Sequence, residues 1–322
     1  MTTAKLKNKD NREPNNRMLK KRGFFYYLNR DKYLYILLIP FFLLLIVFRY
    51  VPMYGITIAF KDYNIFKSIF ESEWVGFDVF RQVFDENFFW LSTRNTIWLN
   101  ILCLLTSFPL TILLSLMLNE VKHNKFKRVT QSLLYLPHFI SWVVVSGIVL
   151  NLFSVRNGSI NNILMTLGLK EPIPFLINNG WWTFTYVVCN IWKDIGWGTI
   201  VYLAALSGVD EALYEAAYID GATKLQRIRY ITLSAIRPTI VVMFILSLSK
   251  MMSIGLDAPL LLGNDRVIET SEVLSTYVYK MGLQKVQYSF ATAIGLFQSV
   301  INILFLVFGQ GLAKILGEDG LF

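Results

Sequence analysis

The chain has 322 residues, 54% of them hydrophobic and only 16% charged. That balance excludes an ordinary soluble domain, which would cover its core with Lys, Glu, Asp and Arg. The formal net charge of +9 does not argue for nucleic acid, because nine of the 31 basic residues fall in residues 1–30, ahead of the first apolar run. They read as a basic cytoplasmic tail.

A spanning helix needs ~20 mostly apolar residues. In chain order, such runs occur at 33–51, 95–118 and 133–153. Two more, 183–206 and 238–254, are interrupted by Lys193, Asp194 and Lys250, and the last covers 288–312. The expected architecture is therefore an all-α integral membrane protein of six transmembrane helices, with residues 31–322 forming one transmembrane domain. The first run is too long for a signal peptide and has no small-residue cleavage site close behind it, so it is expected to stay as a signal anchor. Aromatic residues at 24–27 and at Trp181 and Trp182 stand where interfacial belts belong. Pro109 and Pro137 are expected to kink or offset the second and third spans. No internal repeat is visible, which disfavours an inverted-repeat carrier.

Lys and Arg are dense in residues 1–30, 119–130 and 207–238 and sparse in 52–94, 153–182 and 255–289. By the positive-inside rule the dense set is cytoplasmic, so both termini face inward. Six spans satisfy that arrangement.

The cytoplasmic loop 207–237 carries the most specific pattern. Asp210 is suited to N-cap a short helix and Glu211 adds negative charge to its first turn, while Ala212, Leu213, Ala216 and Ala217 form a small-to-apolar stripe. Gly221 can take the backbone values that end a helix, and Lys224, Arg227 and Arg229 lead back towards the membrane. Taken alone, such a loop is also compatible with an amphipathic hairpin lying on the inner leaflet.

The ordered series Glu215-Ala-Ala, Asp220-Gly-Ala and Ile231-Thr-Leu before a span resembles the EAA loop of ATP-binding-cassette (ABC) importer permeases. Tyr50-Val-Pro-Met-Tyr-Gly, Ile58-Ala-Phe-Lys-Asp-Tyr-Asn, Leu136-Pro-His-Phe-Ile-Ser-Trp and Tyr288-Ser-Phe-Ala-Thr-Ala extend the resemblance to the carbohydrate-uptake, maltose-permease-like type I group, in its complex-oligosaccharide branch. Where the family pattern continues Ile-x-Leu-Pro, Leu233 is followed here by Ser234. The resemblance implies a loop that docks on a separate ATPase through Glu215, Ala216, Ala217, Asp220 and Gly221. It also implies a heterodimer with a second homologous permease, an ATPase dimer holding ATP and Mg, an extracellular solute-binding lipoprotein, and the plasma membrane of a bacterium as location.

Ionisable groups within a span are costly and are expected to face a wet cavity or each other. Lys193 and Asp194 are neighbours on one helix and point about 100° apart, so at least one is expected to seek another partner, with Lys250 and Asp257 as possibilities. Sugars are held by aromatic faces and by polar groups that satisfy their hydroxyls. The resemblance places His138, Trp142, Lys193, Asp194, Trp197, Ser253 and Asp257 at or beside a sugar site built from the third, fourth and fifth spans. An internal ionic contact that fixes packing is the competing reading of Lys193 and Asp194.

No GxxxxGK[ST], HExxH, paired CxxC or GxSxG pattern occurs. Cys103 and Cys189 lie unpaired in apolar runs, and His123 and His138 are the only histidines. No catalytic residue, metal site or cofactor on this chain is therefore expected. Two alternatives remain at this level: an ion-coupled carrier working alone, and a membrane enzyme acting on lipid-linked sugars.

Overall fold

The computed structural model describes residues 30–315 together with 317, 318, 320 and 321. The basic tail, apart from Arg30, and the aromatic cluster at 24–27 lie outside them. The chain divides into two compact units, one up to Gly55 and one from Ile56 onward.

In the first unit, α1 (Lys32–Leu45) contains Pro40 and has no buried residue. It continues through a π turn, Ile46–Tyr50, into a 3-10 stretch, Val51–Phe60. A helix apolar on every side is stable only in an apolar solvent or within an apolar sheath.

The second unit begins within that stretch, at Ile56, and continues into a two-stranded antiparallel ribbon, β1 (Lys61–Asp62) and β2 (Glu73–Trp74), with Lys61 opposite Trp74. Helices α2 (Asp78–Asp85) and α3 (Asn87–Asn119) follow. Next come α4 (Asn124–Tyr135), a 3-10 turn at Leu136–Phe139, and α5 (Trp142–Leu152). Helix α6 (Ser159–Thr166) leads to the long α7 (Asn179–Ser207), and α8 (Glu211–Ile219) and α9 (Lys224–Arg227) form an elbow. The chain returns through α10 (Arg237–Leu248), α11 (Asp257–Leu262) and α12 (Leu274–Tyr279) to α13 (Tyr288–Ile315).

Helix α3 packs along α7, and α13 packs on α10 and α2. One core joins α3, α5, α7 and α11 through Leu99, Val145, Val149, Trp182, Tyr186 and Leu262. Within it the Trp182 indole donates to the Leu262 carbonyl at 2.9 Å, so the only polar atom of that side chain is satisfied. A second core joins α2, α3, α12 and α13 around Val83, Phe89, Leu274 and Ile294. Outside these cores the long helices expose Leu105, Leu113, Met117, Leu304, Val307 and Phe308. Apolar surface that continuous belongs against lipid or a partner subunit.

By length and composition three helical stretches suffice to cross a bilayer: Lys32–Phe60, Asn87–Asn119 and Tyr288–Ile315. Two bent pairs raise the number to five, Asn124–Phe139 with Trp142–Leu152 at 96° and Lys224–Ala235 with Arg237–Leu248 at 61°. The predicted run 183–206 lies on α7, which is long enough at 29 residues but carries Lys193 and Asp194 inside it.

Two predicted spans are not single helices. Within 133–153, α4 stops at Tyr135, Pro137 stands at the start of the 3-10 turn Leu136–Phe139, and Ile140 is extended with φ −78 and ψ 129. Ser141 then N-caps α5, its hydroxyl accepting from the Val144 amide at 3.4 Å. Proline has no N–H to continue the ladder, so the interruption falls where its ring stands. Within 238–254, the helix ends at Leu248, and residues 249–256 are irregular until α11 begins.

Candidate functional site

The break between α4 and α5 is held by two consecutive residues of α7. The Lys193 ammonium donates to the carbonyls of Ile140 at 2.6 Å, His138 at 2.7 Å and Pro137 at 3.3 Å. Those bonds use all three of its donors, and the residue is 7% exposed. An ammonium takes the place of the amides a continuous helix would have offered. Asp194, one residue on, lies within hydrogen-bonding distance of His138 Nδ1, at 2.8 Å. The His138 ring stacks flat on Trp197, centroids 4.5 Å apart with 5° between planes. Trp142 closes the other side, its ring centroid 5.8 Å from the Lys193 ammonium.

Gly196 makes this geometry reachable. A Cβ at that position would stand 2.0 Å from the Leu134 carbonyl oxygen, so only glycine lets the end of α4 come close enough for Lys193 to span the gap.

The irregular segment 249–256 is held differently, by neutral amides on two other helices. Asn100 of α3 donates to the Met251 carbonyl at 2.8 Å and the Ser253 carbonyl at 3.3 Å. On α13, Asn302 accepts from the Met252 amide at 2.9 Å and donates to the Ser253 hydroxyl at 2.9 Å, and Gln298 donates to the Met252 carbonyl. Non-helical backbone at membrane depth needs such partners or a wet cavity, and here it has both. A cavity of about 340 Å³ between α3, α7 and α10 is lined by Asn100, Asp194, Tyr202, Lys250 and Ser253 among others. That volume falls within the ~300–1,000 Å³ typical of small-molecule sites.

The seven residues anticipated for a sugar path therefore separate. His138, Trp142, Lys193, Asp194 and Trp197 form one cluster around the first break. Of these, Asp194 lines the cavity while Lys193 is turned to backbone carbonyls behind it. Ser253 sits on the second break and lines the cavity; Asp257 stands in the first turn of α11 and is not among the lining residues. The partner of Asp194 is His138, not Lys250 or Asp257. Sequence reasoning missed Asn100, Gln298 and Asn302; amides inside otherwise apolar runs were the available sign.

The elbow is built locally. Asp210 N-caps α8 by accepting from the Ala212 amide at 2.9 Å. Gly221 has φ +75, the left-handed value that ends α8 without strain. Thr223 and Gln226 form a capping box that starts α9 immediately afterwards. Glu215, Ala216, Asp220 and Gly221 are exposed and Ala217 is half-buried. Around them Leu213, Tyr218, Ile219 and Leu225 also face outward. Three contacts steady the elbow: the Tyr214 hydroxyl lies 3.0 Å from that of Thr232, the Arg227 guanidinium lies over the Tyr218 ring, and Lys224 pairs with Glu120 at the end of α3 at 3.0 Å.

Among the described residues no group of three His, Cys, Asp or Glu side chains is placed to hold a metal ion.

LplB of Bacillus subtilis is 44% identical to this protein over 296 residues, 92% of each chain. The polygalacturonan/rhamnogalacturonan transport system permease protein YteP of the same organism is 42% identical over 295 residues, again 92% of each. The crystal structure of a bacterial ABC transporter involved in the import of the acidic polysaccharide alginate superposes with a TM-score of 0.83 at 39% identity, over 90% of this chain and 98% of that one. A bacterial alginate ABC transporter in complex with alginate pentasaccharide-bound periplasmic protein gives a TM-score of 0.84 at 38% identity, over 92% of this chain and 99% of that one. Residues 107–316 match the family described as the binding-protein-dependent transport system inner membrane component. This protein belongs to that family, as a multi-pass transport subunit and not an enzyme.

Proposed function

We propose that the chain is the permease of an ABC importer that carries an oligosaccharide into the cell. In this reading six spans cross the plasma membrane of a bacterium with both termini inside. A second homologous permease covers the exposed apolar faces, a separate ATPase dimer holds ATP and Mg, and an extracellular binding lipoprotein delivers the sugar. The α8–α9 elbow faces the cytoplasm and docks on the ATPase through Glu215, Ala216, Ala217, Asp220 and Gly221. His138, Asp194, Trp197 and Ser253 border the sugar's path, while Lys193 and Trp142 hold its wall.

The observation that carries this reading is that the second helix break, through Lys250, Met251 and Ser253, lines one cavity of about 340 Å³ together with Asp194, the residue that meets His138 of the first break. Discontinuous spans bring polar backbone and side chains to mid-membrane, where a polar solute has to cross. The oligosaccharide assignment is supported by the cargoes named for YteP, for the alginate importer, and for the arabinooligosaccharide permease AraP of Halalkalibacterium halodurans, 30% identical over 293 residues.

Affinity purification of the tagged chain in mild detergent tests it. A second permease and an ATPase are expected to come with it, and Glu215→Ala is expected to release the ATPase while the permease pair persists. Uptake by the chain alone in liposomes driven by an ion gradient would sink the proposal.

A further inference from the structure

Beside the elbow, an open groove of about 520 Å³ runs between α3 and the segment that returns from α9 to α10. Its walls are apolar, with Ile112 and Leu113 on α3 and Leu233 and Ile240 on the returning segment. Leu113 is 52% exposed and Leu233 36%, so the described chain leaves this wall open. Set into the same walls are Arg229, on the π turn Ile228–Thr232, and Ser234 and Arg237. Arg237 is shared with Glu318, 3.1 Å away. Arg229 is exposed, lies 5.7 Å from the centroid of the Tyr230 ring, and has no carboxylate within ion-pairing distance among the described residues. Arg237 also opens α10, and no side chain caps that helix, whose N-cap residue is Ile236. An uncapped helix start carries partial positive charge and backbone donors, which favour an anion.

Together these features select an amphiphile. A free phosphate answers the guanidinium and leaves the apolar walls open. A zwitterionic lipid fills the walls but brings its own cation to the headgroup. A phospholipid of net negative charge does both, its phosphate meeting the cation and an acyl chain covering the leucines. Ser234, the departure from the Ile-x-Leu-Pro pattern, adds a hydroxyl to the groove that a proline would lack. The groove belongs to the Lys- and Arg-rich loop 207–238, on the side where anionic lipids gather and basic pockets between spans take their headgroups. We propose that this groove holds an acyl chain of an anionic inner-leaflet phospholipid, with its phosphate against Arg229 and Ser234. The inference rests on the cytoplasmic orientation of the importer reading, and it gives this one groove to lipid and not to the second permease. Such a lipid bridges α3 and the chain returning from the elbow.

The test uses the delipidated complex of both permeases and the ATPase in mild detergent, with wild-type chain, Arg229→Gln, Arg229→Lys and Leu113→Trp. The probes are phosphatidylglycerol and phosphatidylcholine with identical acyl chains, and bound lipid is titrated by native mass spectrometry. Wild type is expected to bind one phosphatidylglycerol roughly tenfold to a hundredfold more tightly than phosphatidylcholine, the range of one charge-assisted contact. Arg229→Gln is expected to abolish that preference and Arg229→Lys to keep part of it. Leu113→Trp, which fills the groove, is expected to expel the lipid with Arg229 intact. Equal binding of the two lipids by wild type overturns the proposal without recourse to any variant. A preference that survives Arg229→Gln, or displacement of the lipid by inorganic phosphate, would overturn it too, the latter marking a simple anion site. Loss of the second permease from the Arg229→Gln or Leu113→Trp complex would also overturn it, assigning the groove to that subunit. Failure of the wild-type chain to bring an ATPase with it is a separate result that removes the importer reading, and the two lipids can still be compared on the chain alone.

Discussion

The break between α4 and α5 is closed by a cation, whereas the open segment after α10 is closed by neutral amides. Lys193 gives every donor it has to the carbonyls of Pro137, His138 and Ile140. Asn100, Gln298 and Asn302 do the equivalent for Met251, Met252 and Ser253, so the second break has no need of its own lysine. Lys250 stays exposed and without a carboxylate partner among the described residues. Two lysines inside predicted spans thus have opposite roles. A charge in a membrane helix is informative only once its hydrogen-bond inventory has been taken.

Four substitutions test this contrast, and all are read from the thermal midpoint of the purified protein in detergent. Lys193→Met should have the largest effect, about 3–5 kcal/mol, because three buried carbonyls lose a charged donor at once; a loss below about 1 kcal/mol would mean the ammonium does not hold the break. Gly196→Ala comes next, at about 2–3 kcal/mol, since the added methyl has to push the Leu134 carbonyl away and take the break out of reach of Lys193. Asn302→Leu should cost about 1–2 kcal/mol by leaving the Met252 amide and the Ser253 hydroxyl without that partner. Lys250→Met is the smallest, within about 0.5 kcal/mol of wild type. A Lys250→Met loss as large as that of Lys193→Met would erase the distinction between the two breaks.

Much of this arrangement is legible in the sequence where the cause is local. The elbow depends on Asp210 for a cap and on Gly221 for a left-handed turn, and both residues stand beside the backbone they serve. Pro137 pointed to an interruption of the third span for the same reason. The break in the fifth span was not legible, because Met251, Met252 and Ile254 look like the continuation of an apolar helix. Its hydrogen bonds come from Asn100 on α3 and from Gln298 and Asn302 on α13, far away along the chain. Lys193 and Asp194 are neighbours in the sequence, but one α-helical step separates their directions, and a carbonyl acceptor on another helix has no sequence mark.

From the sequence alone come the apolar runs, their order, the bias of Lys and Arg between loops, and the elbow around Glu215 and Gly221. Each follows from composition or from interactions within a few residues, where helical geometry is nearly constant. Only the tertiary structure decided which charges are spent and which are free. A buried ammonium is satisfied by whatever oxygen atoms surround it, and at Lys193 these are carbonyls brought near by a glycine at a helix crossing. At Lys250 the neighbouring backbone is already served by amides, and the ammonium stays exposed.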